Sequence, residues 1–328
     1  MLTEKANILC ILDILKKYSD SGHILSVSNI LRKMKTIYDV DADRRTVYRN
    51  IDALIVFGYD ISKYSENKEG YFLRERDFEP SEIHMLCDAV LSAECISKAQ
   101  GKELIRKLQN LGSVHQTKGF SHLGMIKTEN HSPNPQLFYN IDLLDEAVSR
   151  GKKVEFDYYI YDMDLKQKSK REKKYSVSPY SMYWSMGRYY LISGLDHYDT
   201  VTHFRLDRIR DLRVTQDAVK PPPKGFHAYE YASKALFMFG GEVESYTICC
   251  DRLILQDVID RFGDHIIIAE SDDKNFTAIV KATTGGMRLW AIHYIETCRV
   301  LSPEWLVEDV KSAIKKGTEK YSVNADIP

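Results

Sequence analysis

The sequence is short of most features that mark a specialised chain. Its six cysteines (Cys10, Cys87, Cys95, Cys249, Cys250, Cys298) have none of the paired spacings that hold zinc, and most sit in apolar stretches. Reduced, buried thiols in a cytoplasmic protein are the expectation, with no disulfide framework. No run approaches the roughly 18 consecutive apolar residues of a membrane span, and the opening Met-Leu-Thr-Glu-Lys lacks the apolar stretch of a secretion signal. Charge of one sign is missing too. The net value is −1 from 46 basic and 47 acidic residues, so no overall field draws the chain to nucleic acid. There is no Gly-rich nucleophile turn and no paired-histidine helix motif, so neither nucleophilic nor metal catalysis is indicated. Cys249 and Cys250 are adjacent on an expected strand, which sends their side chains to opposite faces and prevents joint chelation. No cofactor and no catalytic activity are expected.

What is present is 328 residues, enough for two or three domains. The charge is unevenly spread. Residues 29–50 carry six basic residues against three acidic ones, whereas residues 240–328 carry ten basic and fifteen acidic. Apolar positions Ile8, Leu9, Ile11, Leu12, Ile14 and Leu15 predict a first helix. A second is expected from a cap at Ser26 or Ser28, and a third from Arg44 to Phe57, closed by Gly58. Ile61–Tyr64 and Tyr71–Leu73 read as two strands around the polar turn Glu66–Gly70. Three helices and a hairpin make a winged helix-turn-helix over residues 1–78. Helices follow from Pro80, with Ser81 as the expected cap, to about Ala99 and from Lys102 to Leu111. Residues 113–135 are rich in Gly, His, Ser, Asn and Pro and read as irregular, so 79–140 is a helical linker.

The next region, 141–220, starts with a helix and continues as short, hairpin-linked strands, the pattern of a small β-barrel. The run Pro221-Pro222-Pro223 marks its end. Over 240–328 the expected order is β-α-β-β-α-β plus a closing helix, the split βαβ arrangement of a ferredoxin-like sandwich. The fold class is thus α+β multidomain.

The third helix opens Asp43-Arg44-Arg45-Thr46-Val47-Tyr48-Arg49-Asn50-Ile51. Its outward residues Arg44, Arg45, Thr46, Tyr48 and Arg49 lie in the first two turns, where a recognition helix meets base edges and phosphates. Lys63, Lys68 and Arg74 are candidate contacts from the hairpin. The phrase Arg-Arg-Thr-Val-Tyr-Arg-Asn-Ile, with Gly58 and Gly70-Tyr71-Phe72-Leu73 downstream, resembles the winged helix of DeoR-type regulators.

In the middle region, Gly187-Arg188-Tyr189-Tyr190-Leu191 and His203-Phe204-Arg205-Leu206-Asp207-Arg208-Ile209 resemble the core of the WYL domain. That domain pairs an aromatic-Tyr-Leu strand with a Phe-Arg-Leu-Asp-Arg-Ile strand on a small Sm/SH3-like barrel. Glu155–Tyr159 and Val177-Ser178-Pro179-Tyr180 extend the likeness, and Tyr189 stands where the family commonly has Trp. The resemblance implies a sensor of nucleic acid or nucleotide inside a bacterial transcription regulator. Tyr190, Arg205 and Arg208 carry over as ligand-binding residues, with Tyr180, Ser193 and His203 as companions. Guanidinium groups grip phosphate in bidentate fashion and aromatic faces stack on bases, so the chemistry suits that ligand class. Alternation alone does not bring both arginines into one pocket. Val300–Leu306, with Leu289-Trp290 and Tyr294, resembles the C-terminal extension that often follows a WYL domain, and both Trp290 and Trp305 are expected in its core.

The reading is a homodimeric regulator that binds double-stranded operator DNA and responds to a single-stranded nucleic acid or nucleotide. Two alternatives stay open: a regulator sensing another metabolite or a protein, and a nucleic-acid-processing enzyme that uses the barrel as a binding module.

Overall fold

Helix α1 (Asn7–Tyr18) buries Cys10, Ile11, Ile14 and Leu15 on one face. In α2 (Val27–Tyr38) the Ser26 hydroxyl accepts from the Asn29 N–H at 3.2 Å, which makes Ser26 the cap. The third helix, α3 (Arg44–Phe57), starts on the Asp43 carboxylate, which accepts from the Thr46 N–H at 2.7 Å. It ends on Gly58 at φ 115°, a conformation that favours glycine. The inward residues Val47, Ile51 and Leu54 join Ile14, Leu15, Ile30 and Met34 in one core.

The hairpin after α3 is shorter than its sequence suggests. Strand β1 (Ile61–Ser62) pairs antiparallel with β2 (Phe72–Leu73), and a helical turn, α4 (Tyr64–Asn67), fills the connection. Asn67 accounts for this. Its side-chain oxygen accepts from the Glu69 and Gly70 N–H groups at 2.7 and 2.8 Å, and its amide donates to Ser62 Oγ and the Gly70 carbonyl. Such local bonds replace a ladder that would otherwise lengthen both strands. Leu25 and Tyr71 exchange backbone hydrogen bonds of 2.9 Å, tying the hairpin to the start of α2.

Helix α5 (Pro80–Ser92) begins one residue before the expected cap. Glu79 and Glu82 cap it reciprocally, with Pro80 at the first helical position. The chain then breaks at 93–97 before α6 (Lys98–Gln109), capped by Ser97. The structure, a computed structural model, describes residues 6–118, 132–197, 200–263 and 266–322. The opening five residues and most of the irregular 113–135 stretch lie outside these. Two compact units are formed, residues 1–135 and 136–328.

The second unit opens with α7 (Leu137–Ser149) and a six-stranded antiparallel sheet: β3 (Lys152–Tyr161), β4 (Gln167–Ser169), β5 (Tyr175–Ser185), β6 (Arg188–Leu195), β7 (Val201–Arg205) and β8 (Ile209–Ala218). Neighbours run β7-β6-β5-β3, with β8 and β4 also on β3. Only the short 3-10 turn Leu206–Arg208 links β7 to β8. Laid flat, those two strands would be about four inter-strand spacings apart, near 19 Å. A 3-10 turn rises only about 2 Å per residue, so the sheet curls until its two ends approach. Phe156, Val177, Leu191, Phe204 and Leu206 fill the inside.

Beyond the three prolines the chain forms α8 (Ala228–Lys234) and a turn at Leu236–Met238, neither of which the sequence reading anticipated. A second sheet contains β9 (Val243–Asp251), β10 (Ile267–Ser271), β11 (Asn275–Thr283) and β12 (Cys298–Ser302) in the order β10-β11-β9-β12. Helix α9 (Leu255–Phe262) joins β9 to β10, α10 (Thr284–His293) joins β11 to β12, and α11 (Glu304–Ser322) closes the chain. Trp290 is fully buried among Tyr246, Ile248 and Met287. Trp305, expected beside it, is instead 43% exposed and donates from Nε1 to Glu244. Among the described residues no helix is long and apolar enough to cross a membrane, and no cluster of three metal-type ligands occurs.

Candidate functional sites

On α3, Arg44, Arg45, Tyr48 and Arg49 are exposed and Thr46 is half-buried, while Val47 between them is fully buried. The buried Val47–Ile51–Leu54 stripe fixes which face turns outward. None of the three arginines makes an ion pair among the described residues. The Asp43 carboxyl is held below its usual pKa by the Thr46 N–H, with Arg45 and Arg49 nearby, so the cap is itself an anion. On the hairpin, Arg74 is paired with Asp60 at 3.1 Å and with Glu66. Lys68 donates to the Ser65 carbonyl. Arg74 is therefore part of the hairpin's own framework.

In the curled sheet, Tyr190 on β6 stands directly across from Arg205 on β7. Arg205 forms a bidentate pair with Asp207, Nε to Oδ1 at 3.1 Å and Nη2 to Oδ2 at 2.7 Å. Asp207 is buried, and Arg188 Nη1 approaches the same carboxylate at 3.9 Å. The Tyr158 hydroxyl accepts from the Arg205 backbone N–H at 3.3 Å. Arg208 stands close enough to act electrostatically on both Tyr158 and Arg188, yet it makes no hydrogen bond or ion pair among the described residues. Two guanidinium groups, Arg205 and Arg188, therefore share one carboxylate, with Arg208 near enough to act on Arg188 and with Tyr158 and Tyr190 beside them.

The strain between these charges is visible. Burial, and then the like charge of Arg205, push the Arg188 pKa down. Burial opposes the charge on Arg205 as well, but its hydrogen bonds to Asp207 outweigh that and raise its pKa. A cluster with surplus positive charge, partly removed from water, has the chemistry to pair with an anion.

Residues 139–214 match the WYL domain. Their match to that family covers α7 and the curled sheet as far as β8, and so includes the whole arginine cluster. Among solved structures, the proteasome accessory factor B/C (PafBC) of Arthrobacter aurescens aligns at 16% identity and a TM-score of 0.27, over 96% of this chain and 47% of that one. This chain thus spans about half that protein's length. A CRISPR Cas-related protein aligns at 12% identity and a TM-score of 0.38, over 98% and 92% of the two chains. No curated protein matches.

Within the WYL domain the remaining expected residues lie elsewhere. Tyr180 lies across Gly194, where a Cβ would come within 2.1 Å of the tyrosine hydroxyl, and it packs on Phe226. It lines a separate cavity of about 170 Å³ with Thr200, Val201, Lys220 and two prolines. Ser193 is buried and donates to the Thr202 carbonyl across the β6–β7 ladder. His203 hydrogen-bonds through Nδ1 to the Met238 carbonyl at 2.8 Å and packs edge-on to Tyr231. The hydrogen bonds and ring contacts given for these three are to Phe226, Thr202, Met238 and Tyr231, and not to the arginines.

Sequence reasoning overlooked Arg188 and Tyr158. A signal for Arg188 existed, since it stands two residues before Tyr190 on one strand and so shares its face. Tyr158 gave none, because only the curl of β3 brings it under β7.

Proposed function

We propose that this chain is a DNA-binding transcription regulator whose WYL domain takes up a phosphate-bearing ligand, a nucleotide or a short single-stranded nucleic acid. In this reading α3 is the recognition helix of a winged helix-turn-helix over residues 1–78, with Arg44, Arg45, Thr46, Tyr48 and Arg49 facing the operator. The observation that carries the sensor half is Arg208, a guanidinium with no partner among the described residues and near enough to act on Arg188, which shares one carboxylate with Arg205. Phosphate oxygens would complete the charge balance, with Tyr190 as the neighbouring aromatic face. The second sheet, with its order β10-β11-β9-β12, would be a ferredoxin-like C-terminal extension.

A winged helix covers a small half-site, so a two-fold dimer on an inverted repeat gives useful specificity. Light scattering is expected to return twice the 37.9 kDa chain mass. Fluorescence anisotropy with a labelled single-stranded oligonucleotide tests the sensor. Arg208→Ala should weaken binding by about 1.5–3 kcal/mol, roughly ten- to a hundredfold. Equal affinity for both proteins would remove the phosphate reading.

A further inference from the structure

Cys250 on β9 and Cys298 on β12 are direct cross-strand partners, with sulfur atoms 3.2 Å apart. Their place in the ladder decides what this contact can become. The next pair along is hydrogen-bonded, since the Asp251 N–H donates to the Thr297 carbonyl at 2.8 Å. In an antiparallel ladder hydrogen-bonded and non-bonded pairs alternate. Cys250 and Cys298 are therefore a non-hydrogen-bonded pair, the kind whose Cα atoms stand about 4.5 Å apart with side chains closest. That separation lies within the range a disulfide accepts, and the sulfurs need to close by only about 1.2 Å to reach bonding distance. Cys249, the immediate neighbour, points to the other face and is outside this geometry.

Access comes from one side. Cys298 lines a groove of about 320 Å³ between α10, β12 and α11, together with Ala291, Ile295, Val300 and Val307. Cys250 lies behind it, fully buried. A small oxidant can therefore reach Cys298, while a bulky one meets the groove walls.

We propose that Cys250 and Cys298 are a peroxide-sensitive thiol pair that closes to an intramolecular disulfide across β9 and β12. Hydrogen peroxide supplies the oxidising equivalents. The Cys298 thiol gives up its proton, the thiolate attacks one peroxide oxygen and the O–O bond breaks; Cys298 becomes a sulfenic acid, and the departing hydroxide takes up the thiol's proton and leaves as water. The Cys250 sulfur then attacks Cys298, the S–O bond breaks, and a second water carries off the hydroxyl and the remaining proton. Two thiols lose two electrons and two protons in total, and one peroxide becomes two waters. The product pins edge strand β12 to its neighbour β9 and links residues 48 positions apart in the chain. Contact with Cys250, and then burial, raise the Cys298 pKa. A raised thiol pKa leaves less thiolate at neutral pH, which slows the reaction with peroxide.

The test uses the full chain, treated with hydrogen peroxide, quenched and denatured in a thiol-alkylating reagent. Titratable thiols should fall from six to four, intact mass should fall by two hydrogens, and one disulfide-linked peptide pair should join Cys250 to Cys298. A reductant should restore all six thiols. Melting temperature should rise on oxidation of the wild type and stay unchanged in Cys298→Ser. A linkage through Cys249, or overoxidation of Cys298 with no peptide pair, would overturn the proposal. Because the peptide map is read on wild-type protein, a poorly folded variant does not obscure the result, and failure here leaves the ligand and DNA readings untouched.

Discussion

Arg205 holds Asp207 by two parallel hydrogen bonds, 3.1 and 2.7 Å long, from a position only two residues earlier in the chain. The 3-10 turn that starts at Leu206 folds the carboxylate back under the guanidinium. This splits the roles of the two arginines singled out in the sequence. Arg205 neutralises a buried acid, and Arg208 has no such task.

Substituting them should give different results. Arg205→Ala removes the two hydrogen bonds that hold the buried Asp207 and leaves Arg188 as its neighbouring cation, and because the guanidinium is partly exposed the loss is about 1–3 kcal/mol of stability. Arg208→Ala should stay within about 0.5 kcal/mol of wild type while losing the oligonucleotide. Urea denaturation of both variants measures the split. Equal destabilisation would make both residues structural.

For the reader half, Arg44→Ala and Arg49→Ala are each expected to weaken binding to a mapped operator by about 1–3 kcal/mol if the contact is bidentate to a base. Binding should also fall steeply with added salt, as released counterions require. Arg74→Ala should matter less for DNA, because that side chain is occupied by Asp60 and Glu66. A gel-shift titration at two salt concentrations compares all three.

Gly70 is where the hairpin meets the loop before α2. A Cβ there would come within 2.2 Å of the Leu25 carbonyl oxygen, a backbone atom that cannot swing aside. Gly70→Ala should therefore cost about 1–3 kcal/mol, the usual range for an overpacked site. It should also weaken DNA binding if the hairpin is the wing. Thermal melting and the same gel shift report the two effects separately.

Acid should loosen the protein through its histidines. Burial pushes the His203 pKa below the ordinary 6.5, and its Nε2 is buried with no partner among the described residues. The neutral ring, with Nδ1–H donated to Met238, is thus the folded form. Burial and the stacked His23 lower the His115 pKa in the same way. Each ring binds fewer protons folded than unfolded, so stability is full above 6.5 and falls as the pH drops through each folded pKa. Melting curves from neutral to mildly acid pH should show this slope, and His203→Phe should flatten it. A pH-independent melting temperature in the wild type would contradict the assignment.

Helix α3 was legible because its signals are local. Gly58 as terminus and the Val47–Ile51–Leu54 spacing lie within one stretch, and together they fix which residues face out. The βαββαβ order of the C-terminal region was legible for the same reason: strand and helix periods are written residue by residue. The hairpin was misjudged in length because Asn67 uses its side chain where a ladder was expected. The cap of α5 was misassigned because Glu79 and Glu82 act as a pair.

The ligand site divides along the same line. By itself the sequence determined that Tyr190 and Arg205 lie on strands, and that Arg188 shares a face with Tyr190, since both follow from a period of two. Only the tertiary structure decided that Arg188 and Arg205 meet at Asp207 with Arg208 close by, and that Tyr180, Ser193 and His203 make their contacts elsewhere. The physical reason is the curl of the sheet. Closing β7 onto β8 through a three-residue turn collapses one group of side chains onto a single carboxylate, and it turns the others toward Gly194, Thr202 and Met238.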